Sequence, residues 1–511
     1  MFVSIPAVTH TANVDFGAFR PVWLFVMQMA LLLITLLVAN VLRRRIPFLR
    51  KMLFPTALVG GLMLFVVKTV LQVCGVGVGV LIDNATMQII TYHMLGLGFV
   101  AMALKRPRQT EKASAGKLFH YALINGSNYM LQSWVGLLIT LVFFGGIFFA
   151  GALLPCGFAQ GTGNGLTWGD NYTDYGLTGG AGFGLTIATV GFIVASVVGV
   201  VYMNVMRRRG KLTVRPSVHA DPENKAQNGT APESISVDKF SMNLGLILLT
   251  YAVAFGLMFA LSRLGGFFVS LAWGLSFMWA LLCGIGVRAL LDLGEKKNVI
   301  RETYRSNYLM DRFGGFCFDL MVLAGVAAIE WEDVALWWLP LTVLCAAGGV
   351  VTFFQCRLAA KHCFPGYEHE TFLVNFGTLT GTINNGMILL REIDPDFSTP
   401  AAHFAVEANV FCFLLDAPLF LTLAMIPRSR ATAWVLCGMF FVLWAVYTLL
   451  IFYRRLLRKK YRPEDDQVWT DDRGFVRRAE LNAPASGAAR DGADARPASD
   501  PGETQTPENE G

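Results

Sequence analysis

Charge is scarce in this chain: of its 511 residues only 15% are Asp, Glu, Lys or Arg, against 54% hydrophobic. That balance excludes a disordered polyelectrolyte and the polar surface of a large soluble enzyme. Nine cysteines are present, yet none forms a Cys-x-x-Cys pair or another metal-ligand spacing. Most of them, such as Cys156, Cys345 and Cys412, sit in apolar runs as small hydrophobes, so neither a zinc site nor a disulfide framework is expected. The His-Glu-x-x-His, Gly-x-Ser-x-Gly and Gly-Lys-Ser/Thr motifs are all missing, which leaves no zinc protease, no hydrolase elbow and no built-in ATPase. The order of a cleaved signal peptide is missing too, because a mixed segment precedes the first long apolar run.

What is present is apolar sequence in runs long enough to cross a bilayer, where a helix needs about 20 such residues. Candidate spans are Val22–Leu42, Pro55–Cys74, Thr86–Leu104, Asn128–Ala150 and Gly180–Met206, then Ser241–Ser262, Gly266–Val287, Phe313–Ile329, Leu336–Gln355 and Ala401–Met425. An extra span follows at Ala431–Phe452. The domain reading is a first membrane repeat (22–206), a polar cytoplasmic linker (207–240), a second repeat (241–425), the extra span (431–452) and a charged, disordered cytoplasmic tail (453–511). The net charge of +6 gathers at span ends, so it reports orientation rather than a nucleic-acid partner. Arg43–Lys51, Lys105–Lys117, Arg207–Lys239, Lys296–Arg305, Arg357–Lys361 and Arg454–Lys460 fall on one side, taken as cytoplasmic. Asp83, Asp170–Asp174 and Glu330–Asp333 fall on the other, with Arg263, Arg428 and Arg430 as exceptions to the alternation. Five spans per half invert the second half relative to the first.

Between the fourth and fifth spans of each half lies a segment too rich in glycine and polar residues to be a simple helix. The first is Gln160-Gly161-Thr162-Gly163-Asn164-Gly165-Leu166-Thr167-Trp168-Gly169 and the second Gly377-Thr378-Leu379-Thr380-Gly381-Thr382-Ile383-Asn384-Asn385-Gly386. Paired interruptions of this kind point to a transport site, because irregular backbone at membrane depth must be enclosed by protein or line a water-filled cavity. Glycine turns backbone groups toward a ligand, Thr and Asn offer neutral oxygens to a cation, and exposed helix N-termini favour a carboxylate. The plainer reading is a pair of extramembrane loops whose Gly, Asn and Thr serve turns.

Candidate substrate residues are therefore Gln160, Gly161, Thr162, Gly163, Asn164, Thr380, Gly381, Thr382, Asn384 and Asn385. Arg391, just past the second segment, is a candidate carboxylate clamp, with a snorkelling span-end cation as the alternative. Thr378, Thr380, Asn384, Glu407 and Asn409 are candidate cation ligands. Glu407, Asp319 and Asp416 lie inside apolar runs where an ionised group is costly; a buried structural partner or a helix kink at Asp416-Ala417-Pro418 is the alternative. Asn125, Asn128 and Gln132, at helical spacing, face the segments or bond between helices. His93 reads as a hydrogen-bonded core residue.

These segments resemble the sodium/glutamate symporter family, through Gly377-Thr378-Leu379-Thr380-Gly381-Thr382 and through Gly161-Thr162-Gly163 running to Trp168-Gly169 and Tyr175-Gly176-Leu177. Pro55-Thr56-Ala57-Leu58-Val59-Gly60-Gly61 and Leu95-Gly96-Leu97-Gly98 agree with it. The resemblance implies an all-α polytopic protein of the inner membrane, with two inverted five-helix repeats, paired re-entrant hairpins and one extra C-terminal span. It further implies Na+-coupled uptake of glutamate, no other cofactor, and a homodimer in which a mobile part carries substrate past a scaffold. Two departures bear on substrate identity: Gln160-Gly161-Thr162-Gly163-Asn164-Gly165 replaces the family's usual Gly-Gly-His-Gly-Thr stretch, and Ile383-Asn384-Asn385-Gly386 replaces a Pro-Thr-Ala run. A proton-coupled carboxylate permease, a channel and a membrane-embedded enzyme are the competing readings.

Overall fold

Backbone shielded from water must hydrogen-bond to itself, so long apolar runs become long helices. The computed structural model describes residues 20–75, 82–106, 115–212, 237–298, 305–395, 397, 399–456, 467–470 and 474–477. Most of the expected linker and tail lies outside the described residues. Within the tail segment, a two-stranded antiparallel pair joins β1 (Gln467–Thr470) to β2 (Gly474–Arg477), with Val468 opposite Val476.

The first half runs α1 (Arg20–Arg45), α2 (Pro47–Lys51), α3 (Thr56–Val73), α4 (Asn84–Ala103), α5 (Ala115–Phe143), α6 (Leu153–Phe158), α7 (Thr162–Thr173) and α8 (Gly180–Arg208). The second runs α9 (Val237–Ser262), α10 (Phe267–Gly274), α11 (Ser276–Lys296), α12 (Asn307–Ala327), α13 (Trp331–Leu336), α14 (Trp338–Cys363), α15 (Glu368–Thr380), α16 (Ile383–Arg391), α17 (Pro400–Glu407), α18 (Asn409–Thr422) and α19 (Arg430–Leu456). Among the described residues nine helices are long and apolar enough to cross a membrane. This is a multi-pass membrane protein.

Three expected spans need correcting. Asn128–Ala150 is replaced by α5, which starts thirteen residues earlier, at Ala115, and stops at Phe143 before Gly145-Gly146. It and α12 are not among the nine because polar and charged residues interrupt their apolar runs; on α5 the amides Asn125, Asn128 and Gln132 are buried. On α5, the Gln132 amide donates to Thr352 Oγ1 (2.8 Å) and to Leu379 O (2.9 Å), while Gln355 donates to Ser127 Oγ (3.0 Å). The run Gly266–Val287 breaks at Leu275 into α10 and α11, where Gly274 meets the buried Trp168 indole; a Cβ there would stand 3.0 Å from the ring. The run Ala401–Met425 breaks at Ala408 into α17 and α18.

The helices pack as two groups. In one, α12 lies along α4 and α3, α11 along α4, α9 along α11 and α1 along α3. In the other, α5 collects α14, α18 and α19, α15 packs on α14 and α16, and α7 lies against α8. The α7–α8 contact is backbone on backbone: a Cβ on Gly165 would stand 2.6 Å from Gly184 O, and Gly169 and Gly180 exclude each other's side chains in the same way.

Acidic groups assemble at one end around Lys68, a lysine of α3 that is only 1% exposed. Its ammonium donates to Ala327 O (2.8 Å) and Ile329 O (2.7 Å), the free carbonyls at the end of α12, and to Asn84 Oδ1 (2.8 Å). Asn84 in turn donates to Glu330. Asp333 of α13 presses against Gly179 and Gly182 at the start of α8, and Trp337 Nε1 donates to Thr178 O (2.8 Å). Burial, with Glu330 and Glu332 nearby, pushes the Asp333 carboxyl up to about 6, partly offset by Lys68. The exceptional arginines are also satisfied: Arg430 donates to Leu141 O (3.0 Å), Arg263 stacks over Phe259 and Arg428 over Phe267. His93 Nδ1 sits 2.9 Å from Tyr251 Oη, so it is hydrogen-bonded as expected, but its side chain is exposed rather than in the core.

Candidate functional site

Both glycine segments are more helical than their composition suggests, and each is interrupted over only two or three residues. The chain leaves α6 at Phe158, turns through Ala159–Gly161 and restarts as α7 at Thr162. Gly161 has φ +78° and ψ −164°, a conformation open to glycine and costly for other residues. In the second half α15 ends at Thr380, Gly381 and Thr382 are non-helical, and α16 restarts at Ile383. The two interruptions touch: a Cβ on Gly161 would stand 3.1 Å from the Thr382 methyl and 3.8 Å from Gly381 O. Two helix N-termini, each with unpaired first-turn amides, therefore start from one place.

A cavity of about 500 Å³ opens beside this meeting point. Of the residues singled out in the two segments, it is lined by Gln160, Asn164, Thr378, Thr382, Asn384 and Asn385. Asn164 Oδ1, Thr378 Oγ1 and Asn385 Nδ2 are buried with no hydrogen-bond partner among the described residues. Buried polar atoms are nearly always satisfied, so these orphans, with both amide atoms of Gln160, make the cavity the candidate ligand site.

The remaining candidates are placed elsewhere. Thr162 Oγ1 donates to Met321 O (3.2 Å), Thr380 Oγ1 to Phe376 O (2.7 Å), and Gly163 packs against Leu95. Arg391 is exposed, away from the cavity, with its guanidinium 5.4 Å from the Phe397 ring centroid. Glu407 pairs with His403 Nδ1 at 3.2 Å and does not line the cavity. Asn409 begins α18, and its side chain lies outside the described residues.

Other lining residues come from helices distant in sequence. From α5 come Asn125, which donates to Tyr121 O (3.1 Å), and Tyr129, which donates to Ala159 O (3.1 Å). Asp416 of α18 and Asp319 of α12, both noticeable in the sequence as acids within apolar runs, reach the cavity as well. Arg43 and Arg288 also line it, with Arg43 Nη1 3.3 Å from Thr56 Oγ1. In sequence those two look like ordinary span-end cations, and nothing in the pattern singles them out. The charges are divided between the helix groups: Arg43, Arg288 and Asp319 belong to the α3–α4–α12 group, and Asp416 to the α5 group. Among the described residues no set of three His, Cys, Asp or Glu is grouped to hold a metal ion.

No curated protein matches this chain, and no solved structure does. A family profile described as sodium/glutamate symporter matches residues 25–356, which takes in α6, the first interruption, α7 and most of α14 and ends before the second interruption. With a match over more than half of its length, the chain belongs to the sodium/glutamate symporter family, and is a transporter rather than an enzyme.

Proposed function

We propose that this protein carries glutamate or a closely related small carboxylate across the membrane together with Na+, binding it in the cavity where the two interruptions meet. The observation that carries this is the contact between Gly161 and Thr382, with the orphaned Asn164, Thr378 and Asn385 atoms around it. Two helix N-termini and several amides suit a carboxylate; hydroxyl and amide oxygens suit a dehydrated cation.

In this proposal α6–α7 and α15–α16 are re-entrant hairpins of two inverted repeats, residues 22–206 and 241–425, with α19 as the extra span. The first hairpin enters from outside and the second from the cytoplasm. The α5 group moves against the α3–α4–α12 group in alternating access within a homodimer. The cavity lining includes Arg43 and Arg288, span-end cations of the kind the positive-inside rule puts at the cytoplasmic side, which supports a cytoplasm-facing cavity, and the same rule supports a cytoplasmic tail.

The test is uptake of radiolabelled glutamate, aspartate and other carboxylates into proteoliposomes under a Na+ gradient, a proton gradient or neither. Saturable glutamate uptake driven by Na+ supports the proposal. Uptake driven by protons alone indicates a proton-coupled permease, non-saturating flux without a gradient indicates a channel, and no flux of any carboxylate rejects it.

A further inference from the structure

The Asp416 carboxylate has the surroundings of a ligand whose partner is a small cation. It lies on α18, where Cys412, Asp416 and Phe420, four apart, line the cavity together with Phe413. Asp416 is 4% exposed, and its Oδ1 has no hydrogen-bond partner among the described residues. No Lys, Arg or His is paired with it there either. An ionised carboxylate at membrane depth is retained only when something neutralises it.

Each other acid nearby is differently placed. Glu407 is paired with His403, and Asp319 is exposed to the cavity on the opposite helix group. Gly126 of α5 lies next to Asp416, its Cβ position in ordinary contact, 3.5 Å, with Oδ1. Tyr129, Asn125 and Thr378 line the same cavity with neutral oxygens, the donor type a hard monovalent cation accepts in place of water. With so little of the side chain reachable, a bare ion fits better than the ammonium of an amino acid.

We propose that Asp416 is the anionic ligand of a Na+ ion bound on the α18 wall of the cavity. This rests on the proposed Na+ coupling, yet it is tested without transport, by binding of radioactive sodium to the purified protein in nanodiscs without substrate. Asp416→Asn is expected to weaken Na+ binding by at least about tenfold, whereas Glu407→Gln, paired with His403 and off the cavity, leaves it unchanged. Glutamate-induced thermal stabilisation at saturating Na+ persists in Asp416→Asn under this proposal. Its loss with Na+ binding intact would reassign Asp416 to the substrate's ammonium and overturn the proposal, as would wild-type Na+ affinity in a folded Asp416→Asn. Should that variant not fold, Asp416→Glu decides: moving the carboxylate by one methylene must change the affinity for Na+ or its preference over Li+, and no change in either rejects the site. If the wild type binds Na+ through Asp416 but transports no carboxylate, the functional proposal falls while this one stands.

Discussion

Gly161 and Thr382, 221 positions apart in sequence, are so close that a Cβ on the glycine would lie 3.1 Å from the threonine methyl. Neither interruption makes a site alone. Their contact places the starts of α7 and α16 together beside the cavity.

Gly161→Ala is expected to lower stability by roughly 1–3 kcal/mol, because the alanine inherits a glycine-only backbone conformation. Adding Thr382→Ser removes the crowding methyl but leaves the backbone strain. Thermal unfolding of the single and double variants in detergent separates the two: partial recovery is expected, and complete recovery would show that crowding alone was at fault.

Asn164→Ala and Asn385→Ala each remove an amide that has an unpartnered atom beside the cavity. Each is expected to raise the KM for substrate by about tenfold, the loss of one good hydrogen bond. Arg391→Gln, stacked on Phe397 away from the cavity, leaves KM within about twofold, as does Asn228→Ala outside the described residues. A large KM effect at Arg391 would move the site toward the end of α16.

Lys68→Met leaves the carbonyls of Ala327 and Ile329 without their shared donor and Asn84 and Glu330 without its charge. Destabilisation of roughly 3 kcal/mol or more is expected, since buried charge-assisted bonds are costly to break from one side. Thermal unfolding checks it; a Lys68→Met protein melting with the wild type would mean that water replaces the ammonium.

Asp333 sets a pH dependence. Its carboxyl is raised from 3.8 to about 6 in the folded chain, so the native state binds more protons than the unfolded one within that window. Stability contributed by this group therefore falls as pH rises through the window and stays low above it. Asp333→Asn is expected to melt higher than wild type at pH 7, with the difference vanishing below pH 4. A difference that is the same at every pH would assign the effect to packing on Gly179 and Gly182.

Much of the fold was legible in the sequence, because bilayer-spanning helices are announced by long apolar runs. What blurred the boundaries was helix surface facing protein. The polar residues around Asn125 and Ser127 delayed the expected start of α5, though Asn125, Ser127 and Gln132 reach partners on α14 and α15. The break at Leu275 carries no proline or polar run, and at Ala408 only Glu407 and Asn409 flank it, so neither read as an interruption. For the site, glycine and amide composition located both interruptions. It could not say which way each side chain turns: Thr162 and Thr380 spend their hydroxyls on backbone carbonyls, and Arg43 and Arg288 reach the cavity only through tertiary packing.

The glycine-lined seam between α7 and α8 makes a lever of the longer helix. Backbone pressed on backbone leaves no side chains to slide or repack, so the interruption at Gly161 is carried by α8 as a rigid attachment. With 29 residues, α8 is roughly 43 Å long, and a tilt of only about 5° displaces one end relative to the other by roughly 4 Å. In the proposed alternating access, a small rotation at one face of the membrane would thus become a displacement of several ångström at the other.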